Sequence, residues 1–435
     1  MESSHNKGKV GLTTATSLVV GNMIASGVFM LPAALAPYGG ISLVGWVISG
    51  IGAMSLALVY AWLSKIRPEA SGGPYAYTRD GLGDFAAFLV AWGYWISVLA
   101  TNAAIAVAFV SYLGAFIPAL ASNVSLAMAT GLGAIWLLTW VNSLGIREAG
   151  VVQVVTTVLK IVPLLLISVG GLFYLNSGHF LPFNPSGVSA MSAITTTTTL
   201  TFFAFLGLEC ATIPSENIRD SGPTVAKATI LGTLVSTMIY VMGTVAVMGI
   251  IPPDQLMSSQ APFSDAAASI WGEPARYLIA TGAVISTFGA LNGWIVMQGH
   301  VPLAAARDKL MPSIFGKLNA RGTPAASLII SSILVSVLMF MNFSQRLADT
   351  YKYMILLATL TVLVPYLFSV ASYVILIAKG QKLTKEMWVR LSVALVACLF
   401  SIWAIIGSGE VTVFWGFVLL MAGVPFYTWM KVKST

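Results

Sequence analysis

The sequence predicts an all-α integral membrane protein with twelve transmembrane helices, and three observations carry that expectation. The 435 residues are 57% hydrophobic and only 9% charged, whereas a soluble domain averages about 25% charged residues. Apolar runs of about 18 residues or more, long enough to cross a bilayer, recur from end to end. They override the two or three soluble domains that length alone would suggest. The formal charge of +7 sits in short loops between those runs, a pattern of membrane topology rather than of nucleic-acid binding.

The spans are expected near 12–36, 41–63, 84–114, 124–144, 150–175, 192–212, 224–251, 275–302, 324–342, 351–378, 388–408 and 411–430. The third and eighth exceed the ~20 residues a span needs, which implies tilt or an end beyond the lipid. No linker or low-complexity stretch divides the chain, so a single domain is expected. The polar N-terminus and long first apolar run do not read as a cleavable signal.

An even number of spans puts both termini on one side, and Lys and Arg say which side. With cytoplasmic termini, the inside segments carry Lys7, Lys9, Lys65, Arg67, Arg79, Arg147, Arg219, Lys227, Arg307, Lys309, Lys317, Arg321, Lys379, Lys382, Lys385, Arg390, Lys431 and Lys433. The outside keeps Arg276, Arg346 and Lys352. Both termini are therefore expected in the cytoplasm and the protein in the cell (inner) membrane.

One basic residue remains, Lys160, in the middle of the fifth span. Of the 15 acidic residues, only Glu209 lies well inside a span. A lone charge at a helix centre costs about 2.5–3.5 kcal/mol even on the lenient insertion scale, so both are functional candidates by default. The blander reading of each is a packing residue satisfied by a partner.

Enzymatic chemistry is mostly excluded by what is missing. The three histidines, His5, His179 and His300, are scattered, and no HExxH or Cys/His cluster could hold a metal. Ser26 sits on no G-x-S-x-G elbow, and there is no phosphate-binding P-loop. Neither a metal nor a cofactor is expected. Cys210 and Cys398 lie in apolar stretches and read as buried bystander thiols.

Two spans are interrupted. The first breaks at Gly21-Asn22-Met23-Ile24-Ala25-Ser26-Gly27, and the sixth at Phe203-Ala204-Phe205-Leu206-Gly207-Leu208-Glu209. A broken helix leaves backbone groups unpaired at several kcal/mol each, which only protein, water or a ligand can repair. Paired breaks are the best sequence pointer to a transporter's site. At the first break, free N–H groups at the positive end of the second half-helix suit a carboxylate, with Ser26 adding a donor and Gly27 allowing close approach. Carbonyls near Asn22 and Met23 would face an ammonium, and those near Phe203 and Leu206 would complete its site. Phe203 offers a ring to cover a ligand. The alternative for Gly21 and Gly27 is tight helix packing.

These residues resemble a known family. The run from Gly21 to Pro32, the loop Ser71-Gly72-Gly73-Pro74-Tyr75-Ala76-Tyr77 and Phe205-Leu206-Gly207-Leu208-Glu209 resemble signatures of the amino acid–polyamine–organocation superfamily. So do Asn292-Gly293-Trp294 and Val364-Pro365-Tyr366-Leu367. The resemblance covers nearly the whole chain and is nearest to bacterial basic amino acid and polyamine antiporters. It implies five spans repeated in inverted orientation, about 12–175 and 192–378, two appended spans at about 388–430, and spans one and six unwound. It places the α-carboxylate on Ser26 and Gly27, and the α-amino group on carbonyls of Met23, Phe203 and Leu206. The far end of the substrate would stack on Trp294 and bond Asn102, a cation over an indole face gaining about 0.5–2 kcal/mol. Tyr94, Glu209 and Tyr366 match the family's cytoplasmic-side gate. A homodimer is implied by resemblance only.

Three departures from the arginine antiporter pattern stand out. Phe203 replaces a tryptophan. Lys160 replaces a small residue, as in other superfamily members where the ammonium takes the place of a structural sodium and bridges spans one, five and eight. Ala25 replaces a glycine, which would matter if the unwinding needs a positive φ. A transporter that exchanges or proton-couples cationic amino acids or related amines, without sodium and with Lys160 and Glu209 as the proton-coupling residues, is the leading expectation. A proton-coupled permease of broad, mainly neutral range, and a transport-inactive sensor or assembly subunit of a larger complex, are the competing ones.

Overall fold

The computed structural model describes residues 11–434 except Glu69, Ser71, Pro214, Glu216, Asn217, 343–346 and 379–383. The expected inside charges Lys7, Lys9, Lys379 and Lys382, the outside Arg346, and His5 therefore lie outside the described residues, as do the side chains of Arg147 and Lys433. Ser71 of the quoted loop also falls outside them.

The described residues form eighteen α-helices. The first apolar run is two helices, α1 (Leu12–Met23) and α2 (Ser26–Leu35), followed by α3 (Ser42–Ile66). A short helix, α4 (Pro74–Leu82), leads into the long α5 (Asp84–Leu113). Then come α6 (Ala119–Ser122), α7 (Val124–Leu144) and α8 (Ile146–Gly170). The sixth run gives only α9 (Ala190–Phe202), and α10 (Ser221–Ile250) follows after a stretch of turns. Two short helices, α11 (Pro253–Ser258) and α12 (Pro262–Trp271), precede α13 (Glu273–Arg307). The chain ends with α14 (Ala325–Asn342), α15 (Leu347–Ala378), α16 (Lys385–Gly407), α17 (Glu410–Met421) and α18 (Gly423–Ser434). Among the described residues, nine helical segments are long and apolar enough to cross a membrane, the first of them, Leu12–Ile66, containing α1 to α3. Shorter apolar helices, Leu159–Tyr174 and Ala325–Met341, join them. The protein is a multi-pass membrane protein.

Local chemistry accounts for many of the ends. Asn123, Ser189 and Thr384 each accept the backbone N–H three residues on, at the starts of α7, α9 and α16, so a free donor of each first turn is paired. Proline opens α4, α11 and α12, where its missing N–H and fixed φ cost nothing. The last expected span is in fact two helices, parted at Ala422. The sequence reading also did not anticipate α4 or α12, whose apolar runs are too short to stand out.

The core runs along α5, buried for nearly its whole length. α15 and α13 pack against α5, α13 also against α8, and α10 against α3 and α1. By contrast α16 and α17 present apolar residues such as Leu395, Leu399, Phe414 and Phe417 outward. In a bilayer such surface is satisfied by lipid. The broken segments are buried throughout, from Val19 to Ala33 and from Thr197 to Ile213, and so lie in the core.

Candidate functional site

The first break is only two residues wide. Ile24 and Ala25 leave helical geometry, with Ala25 at φ −111°. Because that φ is negative, alanine adopts it without the strain that a left-handed conformation would impose. The Ala25 N–H turns back onto the Met23 carbonyl at 2.7 Å, closing a tight turn.

The second break is wider than expected. After α9 the chain makes a 3₁₀ turn over Phe203–Phe205, turns at Leu206 to Glu209, and makes another 3₁₀ turn over Cys210–Thr212. Gly207 sits at φ +99°, a region open to glycine and unfavourable for other residues. A Cβ there would approach Asn22 Cβ to 3.3 Å and the Trp294 ring to 3.4 Å. A Cβ on Gly27 would lie 3.0 Å from Ala204 Cα. The two breaks therefore touch, and Gly27 serves close packing whatever else it does.

Lys160, on α8, reaches the first break. Its Nζ donates to the carbonyls of Gly21 at 2.5 Å and Ile24 at 2.9 Å. Ser286 Oγ of α13 donates to the same Ile24 carbonyl at 3.4 Å. Carbonyls were expected to face an ammonium at Asn22 and Met23. The carbonyls that hold the Lys160 ammonium, those of Gly21 and Ile24, flank that pair. The Met23 carbonyl takes part in the tight turn, and the Asn22 carbonyl accepts from Trp294 Nε1 at 3.2 Å.

Glu209 is fully buried, and its two oxygens accept from the hydroxyls of Tyr94 and Tyr366, each at 2.5 Å. Charge-assisted hydroxyl–carboxylate bonds of this length are the strong kind. They tie α5 and α15 to the unwound segment after α9. The Tyr60 ring packs edge-on against Tyr366 at 5.7 Å and donates its own hydroxyl to Ser369. Tyr94, Glu209 and Tyr366 thus meet as one cluster.

The remaining predicted residues surround the breaks. Ser26 is buried, with the Tyr351 hydroxyl 3.5 Å from its Oγ. Phe203 makes an edge contact with the same Tyr351, ring centroids 6.1 Å apart. Asn22 lies against Cys210. Asn102 Nδ2 points at the Trp294 carbonyl, 3.4 Å away. Leu206 occupies the turn between Phe203 and Gly207. All are nearly inaccessible, so the structure is closed over this region. Sequence reasoning missed Tyr351, Ser286 and Gln298. Gln298 and Ser286 are polar residues inside an apolar span, which is the signal that could have found them.

On the side of α4, a cleft of about 490 Å³ is lined by Arg67, Ala70, Arg79, Asp80 and Asp308. It lies among surface ion pairs rather than at the breaks. Arg79 bridges Asp84 and Asp308, and Lys431 of α18 reaches Asp84. Tyr75 donates to Asp308 at 2.7 Å. Burial and the Asp308 carboxylate push the Tyr75 phenol above its ordinary range, so it remains a donor.

A bundle of apolar helices with two broken ones meeting at a buried polar centre has the architecture of a secondary transporter. Comparison with known proteins agrees. The amino acid permease family model matches residues 10–432, and the chain belongs to that family. It is 33% identical to an arginine/ornithine antiporter of Pseudomonas aeruginosa, over 94% of this chain and 88% of the relative. It is 30% identical to a putrescine transporter of Haemophilus influenzae, covering 99% of each. A cadaverine/lysine antiporter of Escherichia coli is 28% identical over 96% of this chain and 94% of its own length.

Proposed function

We propose that this protein exchanges cationic amino acids or their amines, of the arginine, ornithine, lysine or agmatine kind, across the cell (inner) membrane by alternating access. The observation that carries the reading is the meeting of two broken helices beside Trp294 and Asn102, with Tyr94 and Tyr366 both bonded to Glu209 of the second break. The names of the relatives, antiporters and transporters of dibasic amino acids and diamines, support it.

In this reading the substrate carboxylate docks at the N–H groups opening α2, with Ser26 and Gly27. Its amino group meets carbonyls of Met23, Phe203 and Leu206, with Asn22 at the edge of the site. The distal cation stacks on Trp294 and bonds Asn102. Glu209 carries the gate and, with Lys160, the proton coupling. The lysine ammonium supplies positive charge where the Gly21 and Ile24 carbonyls converge, which favours a sodium-independent cycle. The functional unit is a single transport domain of twelve spans, with both termini cytoplasmic. Its packing pairs support two repeats, about 12–175 and 192–378, with 388–430 appended. α5 against α15 is matched by α13 against α8, and α1 against α10 by α9 against α3. Those couples exchange when the repeats exchange. A homodimer remains part of the proposal by family resemblance.

The test is counterflow in proteoliposomes with a panel of amino acids and amines. Exchange confined to cationic members supports the reading. Exchange confined to neutral members, driven by a pH gradient, replaces it with a neutral-range permease. No exchange at all removes a transport role.

A further inference from the structure

A side-chain amide has a donating end and an accepting end, and a buried one is oriented by partners that can do only one of the two. Gln298 lies on α13, one turn beyond Trp294, and is fully buried. Its Nε2 donates to the Leu328 carbonyl at 3.3 Å and to Ser332 Oγ at 2.7 Å, both on α14. A carbonyl can only accept. The NH₂ end of Gln298 therefore faces α14, and its Oε1 faces α5, where it accepts from Asn102 Nδ2 at 2.7 Å.

The same logic then fixes Asn102. Its Nδ2 is aimed at two acceptors, Gln298 Oε1 and the Trp294 carbonyl. Turning the amide over would set oxygen against oxygen at both contacts, and Asn102 and Gln298 are both fully buried. Gln298 cannot turn with it, because its oxygen would then meet the Leu328 carbonyl. Asn102 Oδ1 is thus directed away from both. It is buried and has no hydrogen-bond partner among the described residues.

We infer that Gln298 is a specificity-determining positioning residue: it holds Asn102 with its oxygen presented to the far end of the substrate. A head that only donates, a guanidinium or an ammonium, satisfies that oxygen. A neutral isostere that brings its own carbonyl sets two acceptors together, and a site built around a directed hydrogen bond rejects such a mismatch strongly. The inference rests on reading Asn102 and Trp294 as the distal end of the substrate site.

The test is competition in counterflow by arginine and by citrulline, its near-isosteric neutral urea. Wild type is expected to prefer arginine. Gln298→Met frees Asn102 to turn and is expected to narrow that preference about tenfold, the worth of one well-made buried hydrogen bond. Ser332→Ala leaves Gln298 only its Leu328 anchor and narrows the preference less. With Asn102→Ala already present, adding Gln298→Met changes the preference no further, because both act through one contact. An unchanged preference in a Gln298→Met protein that still exchanges overturns the relay, as do additive effects in the double variant. If Gln298→Met does not assemble, an unchanged preference in Ser332→Ala overturns it instead. A wild type indifferent between arginine and citrulline fails differently, by removing the reading of the site itself.

Discussion

Lys160 and Glu209 are ionisable groups held in opposite ways at the centre of the fold. Glu209 is gripped by hydroxyl donors, Lys160 by carbonyl acceptors. Both were conspicuous in the sequence because a charge in an apolar span is costly unless something answers it. What answers Lys160 was not readable. The free carbonyls of a broken helix depend on where the turn closes, and here the Ala25 N–H and the Trp294 indole take Met23 and Asn22. Gln298 was passed over because an uncharged amide stands out far less. The hold of Lys160 on the break is charge-assisted and so weakens by about half if the proton leaves, loosening α8 from α1. Lys160→Ala is therefore expected to leave substrate binding measurable in counterflow while flattening the pH dependence of uptake. An Ala variant whose pH profile matches wild type would remove Lys160 from the coupling.

The broken elements differ in how they are made. In the first, small residues allow a tight two-residue turn with negative φ, and Ala25 fits it. In the second, the backbone must pass through φ +99° at Gly207, hard against Asn22 and Trp294. The existence and place of both breaks were legible from glycine in apolar runs. The width of the second was not, because phenylalanine, leucine and threonine give no local sign that helix will fail to resume. Strain and crowding combine at Gly207, while Gly83, at φ +86° with open space around it, carries strain alone. Gly207→Ala and Gly83→Ala should each lower stability in detergent by about 1–3 kcal/mol, the usual cost of a forced backbone conformation. Only Gly207→Ala should also abolish counterflow. If the two variants transport equally well, the turn at Gly207 is scaffold rather than site.

At the scale of the whole molecule, the proposed transport cycle has the closed centre sealed toward α4 by two layers of different strength. The inner layer is the buried cluster of Tyr94, Glu209 and Tyr366. The outer layer is the chain Tyr75–Asp308–Arg79–Asp84–Lys431, which joins α4, the end of α13, the start of α5 and α18. Between the layers, Gly72 N–H donates to the Ile213 carbonyl, so the loop before α4 rests on the segment that carries Cys210. The ion pairs are about 40% exposed, and pairs of that kind contribute only about 0–1 kcal/mol each and weaken with salt. Opening toward this side must break both layers, and only the outer one should respond to ionic strength. Cys210, fully buried beside Glu209, is a native reporter of that opening once half-buried Cys398 is replaced by serine. Its labelling by a thiol reagent applied from the α4 side should quicken with salt in the Cys398→Ser protein. Arg79→Ala should raise the low-salt rate about threefold, in keeping with the loss of exposed pairs, and should weaken its dependence on salt, leaving only the Asp84–Lys431 pair of this chain to be screened. A labelling rate that Arg79→Ala leaves unchanged would mean that the surface chain decorates the closed state without holding it, and that the buried carboxylate with its two tyrosines closes this side alone.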